Sequence, residues 1–204
     1  MTEKQPQWLI VGLGNPGARY ARHRHNVGFQ LLDVLHQRYH FEPFADKARY
    51  AFVRGTMPLS LERQTPTAKV ILMKPLTFMN LSGPPVGEVM RFYKIPPDNV
   101  LVVHDELALK LGQVRLKKGG SAGGHNGLKS LDQAIGQGYG RLRLGIDHPG
   151  DKEAVTGYVL GNFTNAEDAS LKPLLQHIAD LIPLVLQKET GLFSTKLALL
   201  QQAS

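Results

Sequence analysis

Short apolar runs alternate with amphipathic stretches along this chain, and the alternation restricts its fold more than any other feature. Residues 8–11 and 100–103 read Trp-Leu-Ile-Val and Val-Leu-Val-Val, which is typical of strands buried on both faces. In 26–39 the residues Val27, Leu31 and Leu35 recur at helical spacing, and 82–93 and 126–135 are predicted to be helical as well. We therefore predict an α/β fold with a mixed β-sheet and helices on both faces, in one domain or at most two small ones.

The remaining segments complete this arrangement. Further strands are predicted at 50–54, 69–73 and 141–146, an exposed strand at 113–116, and a surface loop at 56–67. Thr164 and Glu167 form a capping-box pattern that opens a long helix to about residue 188. Pro173 and Pro183 are expected to kink or split that helix. A last helix is predicted at 191–202, and Asn26 is predicted to cap the helix that follows it.

Composition limits the classes of function. The chain has no cysteine, which excludes a disulfide scaffold, a thiolate zinc site and a cysteine nucleophile. No apolar run reaches the roughly 18 residues that a membrane span needs, and the first residues lack the apolar stretch of a signal peptide. We therefore expect a cytoplasmic protein with no membrane association. The net charge of +7 favours a polyanionic partner.

The positive charge is concentrated in one third of the chain. Residues 108–145 hold seven lysines and arginines against one aspartate, a local net charge of +6, and Arg19, Arg22 and Arg24 add to it from the first loop. A solvated basic face would give the same composition. Beside a cleft, however, such a region favours an anionic chain that is recognised through phosphates and shape.

The glycine loop after the first strand has two interpretations. Gly12, Gly14 and Gly17 match the spacing of a dinucleotide-binding fingerprint, which would indicate a nicotinamide or flavin oxidoreductase. Pro16 removes an amide donor from this loop, however, and helical periodicity begins only near residue 27. The nearest acidic residue at the required distance, Asp33, lies inside a predicted helix. The oxidoreductase is therefore the weaker alternative.

Polar side chains follow the predicted strands where ligands bind in open α/β sheets: Asn15, His25, Asn80, Asp105 and Asn126. Histidine is the best general base near neutral pH, and an aspartate can hold it in one tautomer. The asparagines could equally be turn or cap residues, and His23 and His25 lack a third ligand at metal spacing. Because the chain has no cysteine to act as a nucleophile, this set favours direct attack by water on a carbonyl.

Five segments in order, 12–20, 24–29, 74–83, 104–107 and 119–128, resemble the bacterial-type peptidyl-tRNA hydrolase family. They read GLGNPGARY, RHNVGF, KPLTFMNLSG, HDEL and GGSAGGHNGL. The resemblance runs from Trp8 to about Phe163. Three segments depart from the family pattern: Ala108-Leu109-Lys110 replaces a frequent Asp-Leu-Pro, His23 stands where threonine is common, and Thr56 to Thr67 is longer or more divergent than usual.

The resemblance implies an enzyme that cleaves the ester between a peptide and the 3′ ribose of tRNA. It implies that His25 is the general base, that Asp105 supports it, and that Asn15 reads the peptide amide. It further implies that Asn80 and Asn126 position the substrate and that Tyr20 and Phe78 contact the tRNA 3′ end. Lys117, Lys118 and Arg143 are expected to contact tRNA phosphates, from their charge more than from a strict motif. The family needs no cofactor or metal and is usually monomeric. The resemblance also implies a single three-layer α/β domain over residues 1–204, with a mixed twisted β-sheet and helices on both faces.

Three rival hypotheses stay open at this point. The chain could be a nucleic-acid-binding module without catalysis, or the oxidoreductase described above. It could also be a serine-type hydrolase that uses Ser82 or Ser121.

Overall fold

The computed structural model describes residues 5–60 and 66–203, and these form one seven-stranded sheet with helices on both faces. The strands are β1 Gln7–Gly12, β2 Ala45–Lys47, β3 Tyr50–Pro58, β4 Thr67–Pro75, β5 Val100–Glu106, β6 Val114–Lys118 and β7 Gly140–Gly145. The α-helices are α1 Val27–Arg38, α2 Gly83–Phe92, α3 Asn126–Ile135, α4 Val155–Val159, α5 Asn165–Leu186 and α6 Thr190–Ala203.

The sheet is mixed, as the sequence predicts. Its order is β2-β3-β4-β1-β5-β7-β6. The four central strands are parallel, whereas β2, β3 and β6 run antiparallel to their neighbours. The carboxyl ends of β1, β4, β5 and β7 therefore lie along one edge, where an α/β sheet binds ligands.

Two hydrophobic cores cover the two faces of the sheet. Trp8 and Ile10 of β1 join α1, α5 and α6 in one core, whereas Leu9 and Val11 join α2 and α3 in the other. Successive side chains of a strand point to opposite faces, so a strand with a helical layer on each side must be apolar at every position. This explains the uninterrupted apolar runs in β1 and β5.

Two glycines bring the start of α1 against the strand ends. A Cβ atom on Gly28 would lie 2.5 Å from the nitrogen of Leu13 and from the carbonyl oxygen of Val103, and one on Gly12 would lie 2.4 Å from the oxygen of Gly28. No side chain fits at such distances. Because backbone meets backbone here, the short 3₁₀ turn Arg24–Asn26 before α1 sits directly beside the end of β5.

The glycine fingerprint therefore serves packing. Gly12 makes this close approach, Gly14 lies under the ring of Phe29, and the loop leads into the 3₁₀ turn Ala18–Tyr20. Within residues 5–26 no α-helix begins, so the loop does not lead directly into the helix N-terminus that holds a pyrophosphate in the dinucleotide-binding motif.

Three local expectations were wrong. Residues 56–58 of the expected loop belong to β3, while 61–65 lie outside the described residues. The long helix α5 runs unbroken through Pro173 and Pro183. Pro183 has no N–H to donate to the carbonyl of Ala179, and the hydroxyl of Tyr39 donates to that carbonyl instead, at 2.8 Å. Asn26 precedes α1, but its side chain makes no cap.

The capping box of Thr164 and Glu167 at the start of α5 is confirmed. No helix within residues 5–60 and 66–203 is both long and apolar enough to cross a membrane.

Candidate active site

A cleft of about 730 Å³ opens at the carboxyl edge of the parallel strands. Asn15 enters it from the loop after β1, Asn80 from the segment after β4, and Asp105 from the end of β5. The glycine loop before α3 forms one wall, and α4 with the loop before it forms the opposite wall. His25, Phe78 and Asn126 also line this cleft, so the convergence expected at the strand ends is present.

His25 and Asp105 are in direct contact. Nδ1 of His25 lies 2.8 Å from Oδ1 and 2.9 Å from Oδ2 of the carboxylate. Burial lowers the pKa of His25, but the charge and hydrogen bond of Asp105 outweigh it, so the pKa lies above its usual 6.5. The contact places the proton on Nδ1 and leaves the lone pair on Nε2. Nε2 makes no hydrogen bond to any described residue.

His125 is a site residue that sequence reasoning did not single out. It caps α3: its Nδ1 accepts from the backbone N–H groups of Gly127 at 3.1 Å and Leu128 at 3.3 Å. The proton of the neutral ring must then sit on Nε2, which donates to Oδ1 of Asp105 at 2.9 Å. Asp105 therefore receives hydrogen bonds from two imidazoles.

The two imidazoles keep Asp105 ionised. The carboxylate is buried, which by itself would raise its pKa. His25 and His125 lower that pKa well below the ordinary value by charge and hydrogen bonding. Asp105 is therefore a buried anion over the working pH range, held by the two side chains that flank it.

His104 lies beneath this pair. Its Nδ1 donates to the backbone oxygen of Asp105 at 2.7 Å, and its ring packs edge-on against His125. Burial, with a smaller contribution from His125, lowers the pKa of His104 to about 3. The ring is therefore neutral and supports the site by packing.

The asparagines divide into one buried and two exposed side chains. The buried Asn15 accepts the backbone N–H of Met79 on its Oδ1 at 2.9 Å, which fixes the amide and leaves its NH₂ group as the donor. Asn26 holds the backbone of Asn15 from both sides, at 3.0 and 2.9 Å. Asn80 and Asn126 are exposed on the cleft walls, and neither caps a helix through its side chain.

The two aromatic candidates lie in different places. Phe78 lines the cleft with 56% of its surface exposed. Tyr20 lies on the preceding loop, where Arg19 stacks on its ring and His23 meets it edge-on, and it is outside the lining of the cleft.

The basic candidates are also separated. Arg143 lies beside the cleft: its Nε is 2.9 Å from the carboxylate of Glu106, which lines the cleft. Lys117 and Lys118 lie level with Val102 and Leu101 on the far side of β7. They are therefore about 10–13 Å from Asp105 along the strand direction, and two strands away from it across the sheet. Lys118 forms an exposed ion pair with Asp98 at 2.8 Å.

Two arginines of the basic set point inward. Arg141 is buried and pairs with Asp132 at 2.9 Å. Arg24 is 7% exposed and pairs with Glu167. The charge that faces solvent is therefore smaller than the sequence count suggests.

Ligand atoms of His25, Asp105 and His125 all lie within 4.8 Å of one another, as in a metal site. A metal on Nε2 of His125 would move the ring proton to Nδ1, where it would face the N–H groups of Gly127 and Leu128. The hydrogen bonding therefore fits a proton network better than a metal.

The serine alternatives find no support in the cleft. Ser82 is fully buried and its hydroxyl donates to the carbonyl of Met79 at 2.9 Å. Among the described residues that line the cleft there is no serine, and the chain has no cysteine. We expect a hydrolase that activates water to have an imidazole paired with a carboxylate, amide side chains nearby, and no serine or cysteine nucleophile in the cleft.

Comparisons with known proteins give the particular family. The family model for peptidyl-tRNA hydrolase matches residues 9–202. The peptidyl-tRNA hydrolase of Rhodospirillum centenum is 53% identical over 194 residues, covering 95% of this chain and 82% of the relative. That of Agrobacterium fabrum is 49% identical over 191 residues, covering 94% and 77%. The crystal structure of peptidyl-tRNA hydrolase from Acinetobacter baumannii aligns with a TM-score of 0.85 at 35% identity, covering 97% of each chain. The chain belongs to the peptidyl-tRNA hydrolase family.

Proposed function

We propose that the protein hydrolyses the ester bond between a peptide, or an N-blocked amino acid, and the 3′ ribose of tRNA, with His25 as the general base. The observation that carries this proposal is the 2.8 Å contact of His25 Nδ1 with Asp105, which leaves Nε2 as a proton acceptor in the cleft. Membership of the family supports the substrate class.

The reaction needs one water and no covalent intermediate. Nε2 of His25 takes a proton from water while the water oxygen attacks the ester carbonyl carbon. The bond between that carbon and the ribose oxygen then breaks, and the imidazolium returns the proton to the ribose oxygen. Asp105 stabilises the imidazolium between these steps. General-base help of this kind contributes about 10²–10⁴-fold to the rate.

The amide side chains select and hold the peptide. Asn15 offers its NH₂ group to the carbonyl of the blocking group, a contact that an unblocked amino acid cannot make. Asn80 positions the ester and the peptide backbone from the segment after β4, and Asn126 from the start of α3. The exposed ring of Phe78 offers a surface on which a base of the tRNA 3′ end stacks, and Tyr20 extends this contact along the preceding loop.

Lys117, Lys118 and Arg143 contact phosphates of the acceptor end, Arg143 nearest the cleft and the lysines farther along the sheet. The surplus of positive charge in 108–145 supports this assignment. We expect the protein to act as a monomer in the cytoplasm, without a cofactor.

The test compares N-acetyl-aminoacyl-tRNA with unblocked aminoacyl-tRNA, using the wild type and His25→Ala. The expected result is rapid release of the acetylated amino acid, little release from the unblocked ester, and loss of activity in His25→Ala. His177→Ala, on α5 and outside the cleft lining, is the matched control and should keep full activity. A wild type that binds both tRNAs and cleaves neither would make it a binding module.

A further inference from the structure

We propose that Arg24 is a positioning residue that aligns the turn carrying His25 with the α4 wall of the cleft. This inference rests on the proposed role of His25 as the base. It concerns a buried cation next to that base, and it adds a residue that does not itself touch the substrate.

Arg24 joins three separate pieces of chain. One guanidinium nitrogen, Nη2, donates to both carboxylate oxygens of Glu167 of α5, at 2.7 and 3.0 Å. It also donates to the carbonyl of Asn162 at 2.8 Å, and its plane stacks on the ring of Tyr158 with 4.2 Å to the centroid. The backbone N–H of Arg24 donates to the carbonyl of Gly161 at 2.9 Å.

These partners define the wall opposite the glycine loop. Tyr158 belongs to α4, and the α4 residues Val155, Thr156 and Val159 line the cleft. His25 directly follows Arg24 in the same 3₁₀ turn. A single guanidinium therefore sets the position of the base relative to the wall against which the substrate lies.

The charge also needs its full set of partners. Arg24 is 7% exposed, and a buried ion is tolerated only when it is paired and hydrogen-bonded. Lysine keeps the charge, but its single nitrogen cannot hold Glu167 and the carbonyl of Asn162 in the same arrangement, and it has no flat face to stack on Tyr158. The substitution Arg24→Lys thus removes the geometry while keeping the ion.

Arg22 is a matched control two residues earlier. It pairs with Asp168, the residue after Glu167, at 2.8 Å, but its side chain is 59% exposed. An exposed pair of this kind contributes little, and it reaches neither α4 nor the turn of His25.

The experiment measures kcat and KM on N-acetyl-aminoacyl-tRNA, with the thermal midpoint, for Arg24→Lys, Arg22→Lys, Glu167→Gln and His25→Ala. Displacing a catalytic group by about 1 Å costs on the order of 10²-fold. We expect kcat of Arg24→Lys to fall at least ~10-fold in folded enzyme. KM should change little, since Asn80 and Asn126 lie on other elements. Arg22→Lys should stay within about two-fold of the wild type.

Glu167→Gln provides a second route if Arg24→Lys does not fold. Glutamine still completes a capping box, so α5 keeps its N-terminus. The ion pair with Arg24 is lost, however, and kcat should again fall. A lower thermal midpoint with kcat within about two-fold of the wild type, in both variants, would overturn the positioning role. An active His25→Ala enzyme would contradict both the role of His25 as general base and the positioning role of Arg24. An inactive His25→Ala together with a fully active Arg24→Lys would contradict the positioning role alone.

Discussion

His25 presents Nδ1 to both oxygens of Asp105, at 2.8 and 2.9 Å, so one carboxylate fixes the orientation and the tautomer of the ring. The same contact raises the pKa of His25 above 6.5 against the opposing effect of burial. A general base must be neutral, so activity should rise with pH through this raised pKa. The acid limb of kcat/KM in the wild type should therefore lie above pH ~6.5.

Replacing Asp105 with asparagine should lower kcat and move the acid limb downward. The amide NH₂ can donate to Nδ1, which places the ring proton on Nε2 and removes the acceptor that faces the cleft. In a serine protease triad, the corresponding change of tautomer lowers kcat by up to about 10⁴-fold. We expect kcat to fall by about 10²–10⁴-fold here. Burial without the carboxylate lowers the pKa of His25, so the limb should shift below pH ~6.5.

The measurement is the pH profile of kcat/KM for the wild type, Asp105→Asn and Asp33→Asn. Asp33 lies on α1 and forms an exposed pair with Lys74, so its variant should reproduce the wild-type profile. An Asp105→Asn enzyme with an unshifted limb would show that another group titrates.

His125 allows its two roles to be tested separately. Serine at this position can still accept from the N–H groups at the start of α3, but it cannot reach Asp105. Alanine loses both functions. We expect both variants to have reduced kcat and lower stability, because Asp105 loses one hydrogen-bond partner in each, and His125→Ala to lose a further ~1 kcal/mol of unfolding free energy.

Urea unfolding and kcat, measured on both variants, check this expectation. Equal stability of the serine and alanine variants would show that the cap contributes nothing. An unchanged kcat in both would show that Asp105 needs only His25 as its partner.

Asn15→Asp should weaken the discrimination between blocked and unblocked substrates. The aspartate can still accept from Met79, so the loop keeps its hydrogen bond. The donor to the peptide carbonyl is replaced by an anionic oxygen, which repels that carbonyl and attracts the protonated α-amino group of an aminoacyl-tRNA. The ratio of kcat/KM for N-acetyl-aminoacyl-tRNA over aminoacyl-tRNA should fall at least ~10-fold. An unchanged ratio would place the selectivity elsewhere.

Much of the fold could be predicted because its signals are local. The apolar run of β5 and the capping box of α5 depend on neighbours in sequence, and both elements are present. The continuity of α5 could not be predicted, since Tyr39 relieves the effect of Pro183 across 140 positions of sequence. Propensity alone carries no information on such a partner.

The candidate site could likewise be predicted only in part. Strand ends placed Asp105 and the asparagines in one cleft, but they could not show that Asp105 binds two histidines or that Arg24 faces inward. His125 follows a glycine loop, and only the start of α3 reveals that it accepts from Gly127 and Leu128. No sequence pattern indicates that the capping residue His125 lies within hydrogen-bond distance of the buried carboxylate of Asp105.

Lys117 and Lys118 give the most direct test of the tRNA surface. Removing both charges should weaken tRNA binding, because each phosphate contact that is lost no longer releases counterions. The slope of log K against log salt should become shallower by about 0.7–0.9 for each contact, while kcat at saturating substrate stays near the wild-type value. Lys118 also pairs with Asp98, so its share of the change should be the smaller one.

Binding of uncharged tRNA, measured across a salt series for Lys117→Ala/Lys118→Ala, checks this prediction. The control is Lys172→Ala/Lys196→Ala, which removes the same charge from exposed positions of α5 and α6. A long-range field from net charge alone would lower the slope equally in both variants. A change confined to the first variant would place tRNA along β6, about 14–16 Å from Asp105, while an unchanged slope would leave Arg143 beside the cleft as the remaining candidate.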